Sequence, residues 1–436
     1  MNGDHVESAF LVEPVTRVHS RPRVRVSESL TFRSAVALIA LHIVDDEFVH
    51  PAPGTSIHDH LGTGLVPIAI ALAAAYVYPR LRAGLRAGLA LILGTLSVVA
   101  GMIAFGSASA DGVSGSDWSG LLLLPTGLVL VAMAAWIPWH ERGRKAESAR
   151  RRWVNRAVAI VVTPLVLFYI VTPIGAALWA THKFRSPIGR FTIRHQDVSF
   201  RTSDRLLLSG WYVPSRNGAA IVIVHGGGGD RDGDRTHAAM LARAGYGVLL
   251  YDARGRGQSQ GAPDAYGWTW GRDVDAAVTW LEHRHDVRDG RIGALGLSTG
   301  ADVLIEAAAR RHDIRAVVAD GATTRSTADA AKVVHGGGLL SIPFWWTQYT
   351  AAKVFEGASP GPPLATLAAD LHARILFIAS TWSVERTAST IYARAAKQPD
   401  DLWRVDSGHT QGLHDHPGQY TERVLSFFAS SLLGRH

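Results

Sequence analysis

The chain has 436 residues, 47% of them hydrophobic and 19% charged, with a slightly positive mean hydropathy. It contains no cysteine, which excludes disulfides and thiolate metal sites, and its length suits about two domains or one large one. The net charge of +7 is no sign of nucleic-acid binding, because much of the arginine stands in short loops between apolar runs.

Residues 1–33 read as a basic tail carrying Arg17, Arg21, Arg23, Arg25 and Arg33. Its apolar cluster AFLVEPV is too short for a cleavable signal peptide and contains Glu13. Residues 34–180 read as a helical membrane region of four or five spans. Four runs, at 62–79, 84–106, 119–139 and 155–180, approach or exceed the roughly 20 apolar residues that cross a bilayer. A fifth, SAVALIALHIV at 34–44, is short and runs into Asp45-Asp46-Glu47.

Loop charge orders these runs. Arg80, Arg82 and Arg86 share one loop, and Arg142, Arg144, Lys145, Arg150, Arg151, Arg152 and Arg156 crowd another, whereas 45–61 and 107–118 contain no Lys or Arg. Basic loops stay cytoplasmic, so the basic tail belongs inside and 34–44 must cross. The remainder of the chain is then expected outside, at the plasma membrane. The nearly uncharged spans argue against a transport pathway. Asp45, Asp46, Glu47, His50, His58, Asp59 and His60 suit a hard metal by type but match no ligand spacing, and read as a polar loop at the membrane surface.

From 191 onward the pattern is soluble. FTIRHQDVSF and RLLLSGWYVP read as strands around a turn, and AAIVIVH, GVLLYD, RIGALGL, IRAVVAD, ARILFIA and DLWRV read as buried strands. THAAMLARAG, GRDVDAAVTWLEHRH, ADVLIEAAARRH, ERTASTIYARAA and GQYTERVLSFFASSLL read as helices between and after them. Alternation of this kind implies an α/β fold with a mostly parallel, eight-stranded sheet covered by helices on both faces. The segment 328–368, with Gly336-Gly337-Gly338, Trp345-Trp346 and SPGPP, breaks the rhythm and reads as a lid-like insertion.

Chemistry collects at the strand ends, where ligands bind in such sheets. Ser298 stands between a buried strand and a helix, with Gly296 and Gly300 at −2 and +2. That spacing permits a turn tight enough to lift a nucleophilic hydroxyl above the sheet, with the following helix N-terminus offering positive potential. The loop His225-Gly226-Gly227-Gly228-Gly229 ends another strand; it lacks the Lys-Ser/Thr of a phosphate loop, and its Gly227 N–H with that of Thr299 suits an oxyanion. His225 reads as a structural residue of that loop. His409, after the last strand, is the expected base; His414 and His416 read as solvent-exposed. Two carboxylates compete to orient the base: Glu385, the first after ARILFIA, which could instead serve the helix dipole, and Asp320 at the end of the preceding strand.

His225-Gly226-Gly227-Gly228, the run Tyr251-Asp252-Ala253-Arg254-Gly255-Arg256-Gly257-Gln258-Ser259, the Ser298 turn and Ser407-Gly408-His409 occur in one order. In this the region 191–436 resembles the α/β-hydrolase fold family of serine esterases, lipases and peptidases. Two departures stand out: Ala301 where a second Gly is common, and no Asp after the seventh strand, where some members carry Glu, which leaves the acid open between Glu385 and Asp320. The resemblance implies a membrane-anchored serine hydrolase, without cofactor or metal, that cleaves an ester through an acyl-enzyme on Ser298. The apolar insertion points to a lipophilic acyl substrate. A peptidase or amidase of the same fold, and a non-catalytic membrane sensor or scaffold, are the alternatives.

Overall fold

A computed structural model describes residues 26–51, 57–111, 113, 115–140, 150, 153–154, 157, 161–181, 188–333, 340–396 and 402–434. Most of the basic tail, the basic 141–149 loop and Gly336-Gly337-Gly338 therefore lie outside the described residues. Among the described residues five helices are long and apolar enough to cross a membrane: α1 (Ser27–Val49), α2 (Thr63–Arg80), α3 (Ala83–Phe105), α4 (Asp117–Pro138) and α5 (Pro164–Thr181).

The first of these corrects the short segment expected at 34–44: the helix runs several residues further at both ends. It passes through its acidic stretch because each carboxylate finds a partner. Asp45 accepts from Ser119 Oγ at 2.5 Å and Asp46 from Ser116 Oγ at 2.5 Å. Glu47 accepts from Thr63 Oγ1 at 2.8 Å and faces His60 Nδ1 at 2.7 Å. Partnered carboxylates at a helix end cost far less than bare ones. Of the cluster considered for a hard metal, Asp45, Asp46, Glu47, His50 and His60 are thus tied into hydroxyl and imidazole hydrogen bonds. At the opposite end Glu28 accepts from Arg86 and Tyr78.

Beyond 188 the chain forms a sheet of β1 (Gln196–Arg201), β2 (Leu207–Val213), β3 (Ala220–Val224), β4 (Gly247–Tyr251), β5 (Ile292–Leu297), β6 (Ile314–Asp320), β7 (Arg374–Ala379) and β8 (Leu402–Arg404). The order is β1-β2-β4-β3-β5-β6-β7-β8. The pairs β1–β2 and β2–β4 are antiparallel and the remaining pairs are parallel. The strand expected from 191 begins only at Gln196, where cross-strand partners on β2 become available.

Burial explains the uninterrupted β-branched runs. Along β3, Ala220, Val222 and Val224 enter the core on one face, while Ile221 and Ile223 enter the core on the other. Successive side chains of a strand point to opposite faces, so a central strand covered on both must be apolar throughout. α6 (Arg235–Arg243) lies on one face. α7 (Gly271–Glu282) and α8 (Thr299–Arg310) lie on the other.

The insertion consists of α9 (Thr327–Val333), α10 (Ile342–Glu356) and α11 (Leu364–Ala369). α12 (Ser383–Ala395) follows β7 and joins the face of α7, whereas α13 (Gly412–Asp415) and α14 (Pro417–Phe428) close the chain on the face of α6. Because β4 and β5 flank β3 on opposite sides, the carboxyl ends of β3 and β5 border the point where the winding direction reverses. In such sheets that is where ligands bind.

Candidate active site

Ser298 stands directly after β5 with φ 53° and ψ −120°, a left-handed conformation that L residues adopt at a cost. Two close approaches hold it there. A Cβ on Gly296 would stand 2.4 Å from the Gly300 carbonyl oxygen, and one on Gly300 would stand 2.1 Å from the Val224 carbonyl oxygen. Glycine is required at both positions because the strand, the turn and β3 leave no volume for a side chain. The Ser298 N–H donates to the Asp320 carbonyl at 2.8 Å, which fixes the turn from below.

Around the hydroxyl the structure brings together three side chains from distant parts of the chain. His409 Nε2 lies 2.9 Å from Ser298 Oγ, and His409 Nδ1 lies 2.7 Å from Glu385 Oε2. A carboxylate only accepts, so the Nδ1 proton belongs to this bond and leaves Nε2 to accept from the serine. Glu385 is fully buried. It also accepts from the Ser380 N–H at 2.5 Å and the Ser380 hydroxyl at 2.7 Å. The imidazole is one-third exposed and meets the Trp382 indole edge-on at 5.3 Å. A buried anion, an oriented imidazole and an accessible hydroxyl in this series form the geometry of an activated nucleophile.

Asp320, the competing carboxylate, is not in the series. It is buried and accepts from Tyr420 Oη at 2.7 Å, and burial together with the Glu385 charge raises its carboxyl to about 7. Asp320 follows Ala316 and Val318 in the alternation of β6, so its side chain points to the face covered by α14, away from His409. His414 is exposed and paired with Asp415, and His416 contacts the Asp406 carbonyl; neither reaches the hydroxyl.

The glycine loop lies against the turn. A Cβ on Gly227 would stand 2.1 Å from the Ala265 carbonyl and 2.7 Å from Thr299 Oγ1, and that hydroxyl donates to the same carbonyl at 2.9 Å. Among the described residues, the Gly227 and Thr299 N–H groups have no intramolecular acceptor. His225 braces the loop: its Nδ1 donates to the Gly226 carbonyl at 2.7 Å and its Nε2 accepts from the Ala253 N–H at 3.0 Å. Both partners are of fixed polarity, so the ring is the neutral Nδ1–H tautomer. Burial lowers its pKa to about 4.

The Asp252–Ser259 run proves to be a clasp around this loop. Asp252 accepts from the Arg231 N–H, Arg231 Nη1 and the Gln258 N–H. Ser259 donates to the Asp252 carbonyl and accepts from the Ser209 N–H. Arg254 pairs with Asp273 and Asp204. Two contacts were not visible in the sequence pattern. The Trp179 ring approaches Gly228, and Arg256 Nη2 donates to the Ala180 carbonyl at 3.4 Å. Both tie the end of α5 to the rim of the site.

The chain is similar to several known proteins. The chain is 27% identical over 247 residues to the Escherichia coli K12 protein YfhR, covering 54% of this chain and 81% of YfhR. It is 33% identical over 139 residues to the polyketide transferase GrgF of a Penicillium species, covering 29% and 45% of the two chains. An esterase of Pyrococcus furiosus aligns over 57% of this chain and 97% of its own at 22% identity, with a TM-score of 0.47. Residues 134–428, well over half the chain, match the family described as X-Pro dipeptidyl-peptidase (S15 family). The protein is therefore a member of that family, with an eight-stranded α/β-hydrolase sheet.

Proposed function

We propose that this protein is a membrane-anchored serine hydrolase that cleaves a carboxylic ester through an acyl-enzyme. The observation that carries the reading is the continuous series from Ser298 Oγ through His409 to the buried Glu385. In this mechanism Ser298 Oγ attacks the acyl carbon while His409 Nε2 takes its proton. Negative charge gathers on the former carbonyl oxygen and is met by the N–H groups of Gly227 and Thr299, at the N-terminus of α8. Collapse expels the alcohol with the proton from His409. A water deprotonated by the same imidazole then releases the acid. Glu385 holds the imidazole in its productive tautomer and stabilises its cationic form. No cofactor or metal enters any of these steps.

The apolar cap supports a lipophilic acyl group as substrate. The family's peptidase members supply a specific second reading, hydrolysis of an amide after proline. A fluorophosphonate probe is expected to label the wild-type protein and not Ser298→Ala; absence of labelling in both favours a non-catalytic sensor or scaffold. A panel of esters, thioesters and Xaa-Pro amides on purified full-length protein decides between ester and amide. The distribution of loop arginines supports a hydrolase domain on the extracytoplasmic side of the plasma membrane. Protease digestion of that domain in intact cells is the expected result, and full protection refutes the orientation.

A further inference from the structure

The cap helix α10 packs one side inward and leaves several large apolar side chains exposed on the rest of its surface. Its inner side packs along α5: the rings of Phe344 and Phe168 lie 5.2 Å apart, and Tyr349 and Ala352 share one buried cluster with Ala177. From 168 to 181 a helix rises about 20 Å, so α10 accompanies α5 over much of its length and in the same direction. Away from α5, Trp346 and Val354 are exposed at 59% and 73% beside exposed Thr350 and Lys353, while Phe355, on the flank that continues Phe344, is exposed at 42% and Leu340, just before the helix, at 74%. No residue from Ile342 to Ala352 is charged; Lys353 and Glu356 stand at the far end. In water such a face is an aggregation surface. Beside a helix that crosses a bilayer, it stands at bilayer depth.

That helix also ends at the reaction centre. Trp179 borders Gly228, and the Ala180 carbonyl receives Arg256. One helix thus links α10 to the loop that carries Gly227.

We infer that α10 is embedded beside α5 in the bilayer leaflet from which the hydrolase domain projects, and that the acyl chain of a membrane lipid ester reaches Ser298 sideways from that leaflet, past Trp179. This deepens the proposed function and rests on its two premises, that Ser298 is the nucleophile and that α5 spans. Lys353, at the outer end, can extend its ammonium toward lipid phosphates while its stem stays apolar.

The absence of cysteine makes the test direct, since Val354→Cys or Trp346→Cys offers a single thiol for an environment-sensitive fluorophore. The full-length protein is reconstituted in vesicles of phosphatidylcholine with a minority of phosphatidylglycerol. Brominated acyl chains are expected to quench labels at 346 and 354 strongly, and a label at Glu422→Cys on the hydrolase surface weakly. Equal weak quenching at all three, with full access to aqueous iodide, overturns the placement of α10.

Delivery is tested with the double variant Trp346→Glu, Val354→Glu. Hydrolysis of a long-chain ester presented in vesicles is expected to fall at least tenfold. Fluorophosphonate labelling of Ser298 and turnover of a soluble short-chain ester report whether the site is still folded. An unchanged rate on the vesicle ester, or an equal loss on both substrates with normal labelling, overturns lateral delivery. Failure of the wild type to label at all, with quenching at 354 intact, overturns the proposed hydrolase while leaving the membrane face in place.

Discussion

The replacement Glu385→Gln tests the hydrolase reading most sharply, because the surroundings of Glu385 dictate how the amide must sit. One carboxylate oxygen accepts from the Ser380 backbone N–H, which can only donate. The Gln carbonyl oxygen must take that place, and its NH2 then occupies the position facing His409 Nδ1. Two donors cannot face each other, so the imidazole is driven to the Nε2–H tautomer and presents a proton, not a lone pair, to Ser298. The residue is fully buried, so no water restores the lost polarity.

Loss of the orienting carboxylate in this way is expected to reduce kcat by about 10⁴-fold, equivalent to about 5 kcal/mol in the barrier, with little change in KM. The measurement is steady-state hydrolysis of a soluble chromogenic ester by the full-length protein, alongside the rate of fluorophosphonate labelling. A loss of less than tenfold refutes the assignment of Glu385. So does an equal loss in Asp320→Asn, because that substitution leaves the Glu385–His409 bond untouched.

Asp320→Asn is expected to act on stability. The folded carboxyl titrates at about 7 against an ordinary 3.8, so between those values the folded chain holds a proton that the unfolded chain releases. Stability then falls as pH rises through that window, by about 1.4 kcal/mol per unit, and the Asn variant, still an acceptor for Tyr420, should gain melting temperature over wild type more at pH 8 than at pH 5. His225 has the opposite sign: its folded value of about 4 lies below the ordinary 6.5, so its contribution is lost as pH falls from about 6.5 toward 4. His225→Phe, which leaves the Ala253 N–H unpaired, should cost about 1–3 kcal/mol in denaturant unfolding and remove that acid-side slope. Gly300→Ala forces a methyl against the Val224 carbonyl; a loss of about 3 kcal/mol or more, seen as a lower unfolding midpoint, is expected, and an unchanged midpoint refutes the crowding argument.

The parallel sheet was legible because its strands are buried on both faces and therefore apolar without interruption. The Ser298 turn was legible because its two glycines answer steric demands only a few residues away. The first long apolar helix was misjudged in length, since the carboxylates that seemed to end it are satisfied by Ser116, Ser119, His60 and Thr63, all remote in sequence. The same limit hid the contact between Arg256 and Ala180 and the approach of Trp179 to the glycine loop. Side chains that couple the long apolar helices to the sheet show no local periodicity, because their partners are set by tertiary packing.

The carboxylate illustrates a different kind of ambiguity. Sequence left Glu385 either as a first-turn residue answering the dipole of α12 or as the partner of His409, and treated these as competitors. The structure shows one group occupying both places. Glu385 is in the first turn of α12, where positive potential favours an anion. From there its carboxylate reaches back to the Ser380 N–H and hydroxyl at the end of β7 and outward to His409. Donors from the strand end, the helix field and the imidazole all stabilise the charged form of a buried group that would otherwise be costly to desolvate. An Asp at the same position, shorter by one methylene, would have to choose between the Ser380 donors and the imidazole. Glu385→Asp is therefore expected to keep the charge yet loosen the His409 contact, lowering kcat by less than Glu385→Gln does; a loss as large as that of Gln would mean that reach, rather than charge, governs the imidazole.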